Sequence, residues 1–238
     1  MKNPTKSLII FDLDGTLIDS VPDLAAATND MLTWLNAPKA PINLVRNWVG
    51  NGSMVLVQRA LAWAGLDGCD EKLDQAHELF LTYYATGDCK HTKLYHGVKD
   101  GLQRLLDAGF ILSLATNKPE RFLPNILQSF NLQETFTCVV GGDTLSNKKP
   151  DPMPLLYICN KLKISPQHAI MVGDSKNDIL AGKAATMTTL ALSYGYNYGE
   201  SITQSKPDAV FDEFGALVNY IITHYQAKLP TANVKRTN

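Results

Sequence analysis

Short, almost wholly apolar segments recur along this chain, and most are followed by a stretch with helical spacing of apolar residues. The apolar segments cover residues 7–11, 111–115, 137–140, 169–172, 188–192 and 208–211, and helical stretches lie near 98–108, 119–129, 152–162, 177–185 and 213–225. This alternation predicts parallel strands joined by crossover helices that cover both faces of one sheet. Such strands are buried on both faces, which explains their apolar composition. The expected fold class is therefore α/β, with a doubly wound parallel sheet.

One segment interrupts the alternation. Between residues 20 and 91 we find no convincing strand, and the spacing of apolar residues predicts helices over 21–34, 54–63 and 73–84. The sequence thus predicts a core from 1–19 and 92–226, an inserted helical cap over 20–91, and a flexible polar tail over 227–238. An insertion directly after the first strand is well placed to act as a lid. The alternative is an extra helical subdomain without a role in chemistry.

Two carboxylates follow the first predicted strand, in the stretch FDLDGT at residues 11–16. On a continuing strand Asp12 and Asp14 would share one face, because side chains alternate with period two. Like charges so close repel each other unless a cation joins them, and Mg²⁺ prefers carboxylate and backbone oxygens. Gly15 allows the backbone to turn sharply. The alternative interpretation is a strand that simply ends in polar turn residues.

Polar residues also follow the other predicted strands. Because ligands of doubly wound sheets bind beyond the carboxyl ends of the strands, we expect these side chains to meet there. They are Thr116, Asn117 and Lys118 after the second strand, Lys148 and Lys149 after the third, and Gly173, Asp174, Ser175 and Asp178 after the fourth. The convergence of polar groups from several strand ends indicates an active site more specifically than any one of the motifs does.

The converging groups fit phosphoryl transfer. Asp12 can attack phosphorus as a carboxylate nucleophile and form an aspartyl-phosphate. Asp14 can protonate the leaving oxygen and then deprotonate the hydrolytic water. Mg²⁺ held by Asp12, Asp174 and the Asp14 carbonyl would neutralise and orient the phosphate of a small phosphorylated metabolite.

The remaining groups have supporting roles in this hypothesis. Thr116 and the Asn117 backbone N–H can bind phosphate oxygens, and Lys149 supplies a fixed positive charge near the phosphate. Asp178 lies one helical turn after Asp174, so it faces the same way and could hold a metal-bound water or orient Lys149. Together with Ser175 it is expected to surround the metal site.

Composition and sequence patterns argue against several other classes of protein. The chain has 238 residues and a formal net charge of −1, so no overall basic field indicates a nucleic-acid partner. No apolar run approaches the roughly 20 residues of a membrane helix, and no signal-peptide pattern opens the chain. The four cysteines form no Cys-x-x-Cys pair, which favours reduced thiols. We expect a cytoplasmic protein without nucleic-acid or membrane partners, acting as a monomer or homodimer.

The motifs resemble those of the haloacid dehalogenase-like phosphohydrolases. The stretch 12–16 (DLDGT), Thr116-Asn117, Lys149-Pro150 and the stretch 173–178 (GDSKND) correspond to the four family motifs, in the family's order. The resemblance extends from about residue 7 to 215. It implies a Rossmann-like core, a mobile flap after Asp14, a helical cap inserted after the first motif, and Mg²⁺-dependent phosphatase activity.

Within the family, three stretches are similar to the phosphoglycolate phosphatases, which implies 2-phosphoglycolate as the substrate. They are 46–52 (RNWVGNG), 116–119 (TNKP) and 147–152 (NKKPDP). The guanidinium of Arg46 could reach a substrate carboxylate, or it could be a solvated cap residue. The turn Gly50-Asn51-Gly52 could offer backbone N–H groups to the substrate, or it could only join two helices. One departure is Thr186, which stands where relatives usually have glycine.

Several alternatives remain open at this point. A phospho-aspartate receiver module also places acidic residues and Mg²⁺ at strand ends, but an acid/base at Asp14 should make its phospho-aspartate short-lived. A dehalogenase that attacks carbon needs neither Asp14 nor Asp174. A β-phosphoglucomutase-like phosphotransferase, a pyrophosphatase or a nucleotidase of the same family would share the core residues and differ in the cap.

Overall fold

The strands of the protein are short and spread along the whole chain. The computed structural model describes residues 5–66, 70–87 and 89–227. In this part of the chain the strands are β1 (Thr5–Lys6), β2 (Leu8–Phe11), β3 (Ile18–Asp19), β4 (Lys93–Leu94), β5 (Ile111–Ala115), β6 (Cys138–Val140), β7 (Ala169–Gly173), β8 (Thr188–Leu192), β9 (Ala209–Phe211) and β10 (Gln226–Ala227).

Helices occupy most of the chain between these strands. They are α1 (Val21–Trp34), α2 (Ile42–Arg46), α3 (Ser53–Trp63), α4 (Asp70–Thr86), α5 (Val98–Asp107), α6 (Leu123–Ser129), α7 (Met153–Leu162), α8 (Lys176–Ala184) and α9 (Phe214–His224). Short 3-10 turns precede α6 and β7 and also lie between β8 and β9. The alternation of strand and helix predicted after residue 92 is therefore present.

Six strands form one parallel sheet in the order β6-β5-β2-β7-β8-β9. Its central strand β2 sends Leu8 and Ile10 into the hydrophobic cluster on one face, and Ile9 and Phe11 into the cluster on the other. All four side chains are fully buried, as expected for a strand covered by helices on both faces. The predicted α/β fold with a doubly wound parallel sheet is confirmed.

The helices α1 to α4 lie between β3 and β4 and build a hydrophobic cluster of their own. Its buried members include Met31, Val45, Val57 and Phe80, one from each helix. The helix α2 was not predicted, because its five residues are too few to establish a periodicity. The division into core and cap at residues 20 and 91 stays a prediction.

Two small strand pairs were also missed. The strands β3 and β4 pair antiparallel at the two ends of the insertion, with Asp19 opposite Lys93. The strands β1 and β10 pair in parallel, so Ala227, the first residue of the predicted tail, lies in a strand. The rest of that tail, 228–238, lies outside the described residues. Two-residue strands carry no detectable alternation, and therefore the sequence gives no signal for them.

None of the helices in the described ranges combines the length and the apolar character needed to cross a membrane. Cys69 lies outside those ranges.

Candidate active site

The catalytic candidates meet at the carboxyl edge of the sheet. Asp12 follows β2, Thr116 follows β5, Lys149 lies in the loop after β6, Asp174 follows β7, and Asp178 lies in the first turn of α8. Each is less than 10% exposed. The strand β2 lies between β5 and β7, where the strand order reverses, and such a switch point opens a crevice at the strand ends. The fold thus brings together groups from four separate chain segments.

Lys149 joins two of the carboxylates. Its Nζ donates hydrogen bonds to Oδ1 of Asp12 at 2.7 Å and to Oδ1 of Asp178 at 2.6 Å. The other oxygen of Asp178 accepts hydrogen bonds from the backbone N–H and the hydroxyl of Ser175, which forms a capping box at the start of α8. Although burial opposes its charge, the carboxylates of Asp12 and Asp178 raise the pKa of Lys149, so it stays cationic.

Asp174 is held by two other donors. Its Oδ1 accepts a hydrogen bond from the Thr16 hydroxyl at 2.6 Å, and its Oδ2 accepts one from the backbone N–H of Tyr196. Gly15 passes directly beside it: a Cβ on Gly15 would lie 2.2 Å from Oδ2 of Asp174, and the φ of Gly15 is +94°. Only glycine fits this turn, because both the space and the backbone conformation exclude a side chain.

The donor set fits a divalent cation. Ligand atoms of Asp12, Asp174 and Asp178 lie within 4.8 Å of one another. Burial, reinforced by the neighbouring carboxylates, raises the pKa of Asp174, and it raises the pKa of Asp12 to about 7 against the attraction of Lys149. When ionised, the three carboxylates carry three negative charges against one positive charge on Lys149. An excess of two buried negative charges, all on oxygen, is the chemistry that a hard divalent ion compensates.

The side chain of Asp14 is not one of the three clustered carboxylates, although it lines the same cavity as they do. Its Oδ1 accepts hydrogen bonds from the hydroxyl of Ser20 at 2.5 Å and from Nζ of Lys118 at 3.1 Å. Its side chain is therefore positioned by the start of α1 and by the loop after β5. The predicted metal contact of Asp14 was through its backbone carbonyl, and this arrangement of the side chain leaves that prediction untouched.

One cavity joins these groups to the helical insertion. It is lined by Asp12, Asp14, Thr116, Asn117, Lys118, Lys149, Asp174, Ser175 and Asp178 from the catalytic edge, by Leu24, Val49, Gly50, Gly52, Ser53, Leu56, Phe80 and Tyr84 from the insertion, and by Pro119, Phe122 and Tyr196. Its volume is about 50 Å³. By the same measure a water molecule needs about 10–15 Å³, so the cavity suits a small ligand.

Two of the four predicted cap residues line this cavity, and two do not. Gly50 and Gly52 are in its wall. The guanidinium of Arg46 instead lies 3.7 Å from a carboxylate oxygen of Asp19 and 4.9 Å from the ring centre of Tyr196. The Asn51 side chain accepts a hydrogen bond from Arg59 at 3.0 Å. Arg46 borders a second groove, of about 440 Å³, which shares Asp174 and Tyr196 with the cavity.

The Gly50 carbonyl connects the insertion to the catalytic loops. It accepts hydrogen bonds from the side-chain amides of Asn117 at 2.9 Å and of Asn177 at 3.0 Å. Asn117 also donates to the Lys149 carbonyl. One backbone oxygen of the insertion is therefore bonded to the loop after β5 and to the start of α8.

Sequence analysis assigned no specific contact to several residues of this site. Lys118 was expected to lie close to the catalytic groups after the second strand, and it contacts Asp14. Thr16 and Tyr196 hold Asp174, and Tyr84 lines the cavity. The position of Thr16 within the first motif could have indicated it. Tyr84 carries no comparable signal, because buried tyrosines are common in any core. Tyr196 follows a predicted strand near the site, where residues 194–196 were expected to support the loop.

The comparison with known families agrees with this geometry. Residues 9–192 match the model of the haloacid dehalogenase-like hydrolases. This chain belongs to the haloacid dehalogenase-like hydrolase family. The resemblance inferred from the four motifs is thus confirmed, and the matched region includes every catalytic candidate.

Several similar family members carry the same name. A phosphoglycolate phosphatase of Psychrobacter arcticus is 52% identical over 226 residues, which cover 93% of this chain and 98% of the relative. A phosphoglycolate phosphatase of Haemophilus influenzae strain 86-028NP is 44% identical, covering 92% of this chain and all of the relative. The crystal structure of a predicted phosphoglycolate phosphatase from Haemophilus somnus 129pt superposes with a TM-score of 0.87 at 41% identity, over 90% of this chain and 97% of that one.

Proposed function

We propose that this chain is a Mg²⁺-dependent phosphatase that hydrolyses 2-phosphoglycolate to glycolate and phosphate. The observation that carries the proposal is that only one of the two oxygens of the Asp12 carboxylate is engaged by a hydrogen-bond donor among the described residues. Lys149 holds its Oδ1, while no hydrogen bond from the described residues reaches its Oδ2, and Asp14 lines the same cavity. A buried carboxylate with one oxygen available, and a second carboxylate beside it, can serve both halves of phosphoester hydrolysis. The names of the similar relatives support the choice of substrate.

In the first half-reaction, Oδ2 of Asp12 attacks the phosphorus of the ester. A bond from Asp12 to phosphorus forms as the bond from phosphorus to the glycolate oxygen breaks. Asp14 gives its proton to that oxygen, so glycolate leaves as the alcohol. The contacts of Asp14 with Ser20 and Lys118 fix the position of its carboxyl group for this transfer.

In the second half-reaction, water attacks the phosphorus of the aspartyl-phosphate. Asp14 now accepts the proton of the water, and the bond from phosphorus to Asp12 breaks. Phosphate is released, and both carboxyl groups return to their starting states. Asp14 thus acts as an acid in the first half-reaction and as a base in the second, because the second proton transfer runs in the opposite direction to the first.

Three groups bind the phosphate in this proposal. The Thr116 hydroxyl and the Asn117 backbone N–H donate to its oxygens, and the Lys149 ammonium attracts its negative charge. Lys149 is also the link between Asp12 and Asp178, so a single cation orients the nucleophile and neutralises the phosphate. Because burial excludes water from this cation, its attraction is stronger than at a surface.

The proposed metal ligands are the carboxylates of Asp12 and Asp174 and the backbone carbonyl of Asp14. When bound, Mg²⁺ neutralises charge on the phosphate and holds it in one orientation. Asp178 and Ser175 support this set from the start of α8, since Asp178 is already engaged by Lys149 and by Ser175. Thr16 and Tyr196 keep the Asp174 carboxylate directed toward Asp12.

The insertion selects the substrate in this proposal. Gly50 and Gly52 line the cavity and present backbone groups to it. Arg46 and Asn51 would reach a substrate only after a rearrangement of the 46–52 loop, because each is bonded elsewhere. A cavity of about 50 Å³ favours a small ester over a nucleotide or a sugar phosphate.

We also propose that the enzyme acts in the cytoplasm, as a monomer or homodimer, without nucleic-acid or membrane partners. The formal net charge of −1 supports the lack of a nucleic-acid partner.

The test is phosphate release from a panel of esters, with Mg²⁺ and with excess chelator. The panel contains 2-phosphoglycolate, β-glucose 1-phosphate, a nucleoside monophosphate and pyrophosphate. We expect a strong preference for 2-phosphoglycolate and the loss of turnover with chelator. A preference for another ester would refute the substrate while leaving the phosphatase class intact.

The nucleophile is tested separately with Asp12→Asn. Removal of a covalent nucleophile should lower kcat by at least roughly 10³-fold. The matched control is Asp208→Asn, a carboxylate at the amino end of β9 that accepts hydrogen bonds from Thr189. Near-normal turnover of Asp12→Asn would exclude Asp12 as the nucleophile.

A further inference from the structure

Two residues of the cavity wall each have a buried side-chain atom without a hydrogen-bond partner among the described residues, namely Oδ1 of Asn117 and the hydroxyl of Tyr84. Tyr84 lies in α4, is 8% exposed and lines the cavity. Its hydroxyl is out of contact with solvent and reaches no acceptor within the described part of the chain, since the neighbouring ammonium of Lys118 can only donate. By contrast, the hydroxyl of Tyr196, in the same wall, is bonded to Asp19 and to the backbone N–H of Ser20.

An unpartnered buried hydroxyl is destabilising. The cost of removing it from water is recovered only when a partner accepts its hydrogen bond, and most buried hydroxyls in native proteins have one. Phenylalanine at position 84 would keep the same packing, because the ring stacks on Phe80 at 6.0 Å and meets Phe122 edge-on at 5.0 Å. A ligand bound in the cavity would supply the acceptor that the Tyr84 hydroxyl lacks.

The surroundings of Tyr84 favour an anionic acceptor. Nζ of Lys118 lies 4.5 Å from the centre of the Tyr84 ring and 3.1 Å from Asp14. Burial raises the pKa of Tyr84 to about 12 despite the nearby Lys118, so at neutral pH the hydroxyl is a donor. A donor beside an ammonium group attracts a carboxylate more strongly than a neutral oxygen.

We propose that Tyr84 is a specificity-determining residue whose hydroxyl donates a hydrogen bond to the carboxylate of the bound substrate, beside the ammonium of Lys118. This inference rests on the proposed function, since it concerns the end of 2-phosphoglycolate that does not react. The phosphate end is held at the sheet edge by Lys149, and the carboxylate end extends toward α4. The preference for a carboxylate-bearing ester thus comes from α4 as well as from the 46–52 loop.

The test uses Tyr84→Phe with two esters of nearly equal size, 2-phosphoglycolate and ethyl phosphate, which lacks the carboxylate. Loss of a hydrogen bond to a charged group should raise KM for 2-phosphoglycolate roughly 10-fold to 100-fold with little change in kcat. The kinetics with ethyl phosphate should stay the same. The matched control is Tyr95→Phe, a half-buried tyrosine whose hydroxyl is also shielded from solvent but which does not line the cavity.

A second measurement separates binding from turnover. 3-Phosphonopropionate and propylphosphonate, competitive inhibitors that differ in the carboxylate, are compared on the wild type and on Tyr84→Phe. The variant should weaken inhibition only by 3-phosphonopropionate. Equal effects on both inhibitors, or equal losses with both esters, would make Tyr84 a purely structural residue and overturn the inference while the proposed function stands. A wild type that does not prefer 2-phosphoglycolate to ethyl phosphate would refute both.

Discussion

The backbone carbonyl of Gly50 accepts a hydrogen bond from the side-chain amide of Asn117 at 2.9 Å. Gly50 belongs to the helical insertion, while Asn117 directly follows the phosphate-binding candidate Thr116. The amide of Asn177, beside the acidic cluster, donates to the same oxygen. The Gly50 carbonyl therefore attaches the insertion to two catalytic loops, and weakening that attachment should be measurable in catalysis.

Asn177→Ala removes one of the two donors to Gly50. Alanine suits the helix α8, so the fold should remain intact. The change also removes the hydrogen bond from Asn177 to the Tyr198 hydroxyl. Loss of these contacts should raise KM for 2-phosphoglycolate about fivefold, because the insertion is then held less firmly against the catalytic loops. Asn219→Ala in α9, which removes a hydrogen bond from Arg104 on the surface, is the control. Unchanged KM in Asn177→Ala would show that this bond does not hold the insertion closed.

Asp14→Asn should slow both half-reactions, because the amide can neither protonate the leaving oxygen nor accept the proton of water. We expect kcat to fall roughly 10²-fold to 10⁴-fold. Asn can still accept the hydrogen bonds from Ser20 and Lys118, so the thermal stability should change little. Turnover close to the wild-type rate would remove Asp14 from its role as acid and base.

The stability of the metal-free protein should decrease as pH rises from 5 to 8. Burial, opposed by Lys149, raises the pKa of Asp12 from 3.8 to about 7. Between these values the folded state binds the Asp12 proton more tightly than the unfolded chain does. The stabilisation is therefore complete at low pH and is lost as pH rises through about 7.

Asp12→Asn should abolish the loss of folding stability at high pH, because asparagine does not ionise. At pH 8 without metal, this variant should melt about 2–4 °C above the wild type, and the gap should close toward pH 5. Mg²⁺ should raise the Tm of the wild type more than that of the variant. Thermal melts at several pH values measure both effects. A metal-free variant that melts at or below the wild type at pH 8 would contradict the assigned pKa shift of Asp12.

Gly15→Ala and Gly65→Ala form a matched pair. Both glycines have positive φ, +94° and +68°, so alanine strains the backbone at either position by about 1–2 kcal/mol. A Cβ on Gly65 meets nothing within 4 Å, whereas one on Gly15 would collide with the Asp174 carboxylate. Gly15→Ala should therefore lower kcat/KM roughly 10²-fold, and Gly65→Ala should leave it unchanged. Equal activity in the two variants would show that Asp174 need not stay in place.

The sheet and its catalytic edge were predictable because local patterns specify them. Apolar strands such as β5 and β8 were predicted at their observed limits, and the residues after the strands converge as the parallel topology requires. The wall of the cavity formed by the insertion was not predictable. Arg46 pairs with Asp19 and Tyr84 faces the cavity because of how helices pack, and packing angles leave no trace in a single sequence.

The central position of β2 has a consequence for synthesis of the chain. Asp12 leaves the ribosome 137 residues before Lys149, which binds it, and Asp178 follows another 29 residues later. Until those segments emerge, the apolar β2 lacks its neighbour β7 and the carboxylates lack their cation. A nascent chain that ends before Asp178 therefore has an incomplete catalytic centre, and its apolar strand β2 is left for chaperones to cover.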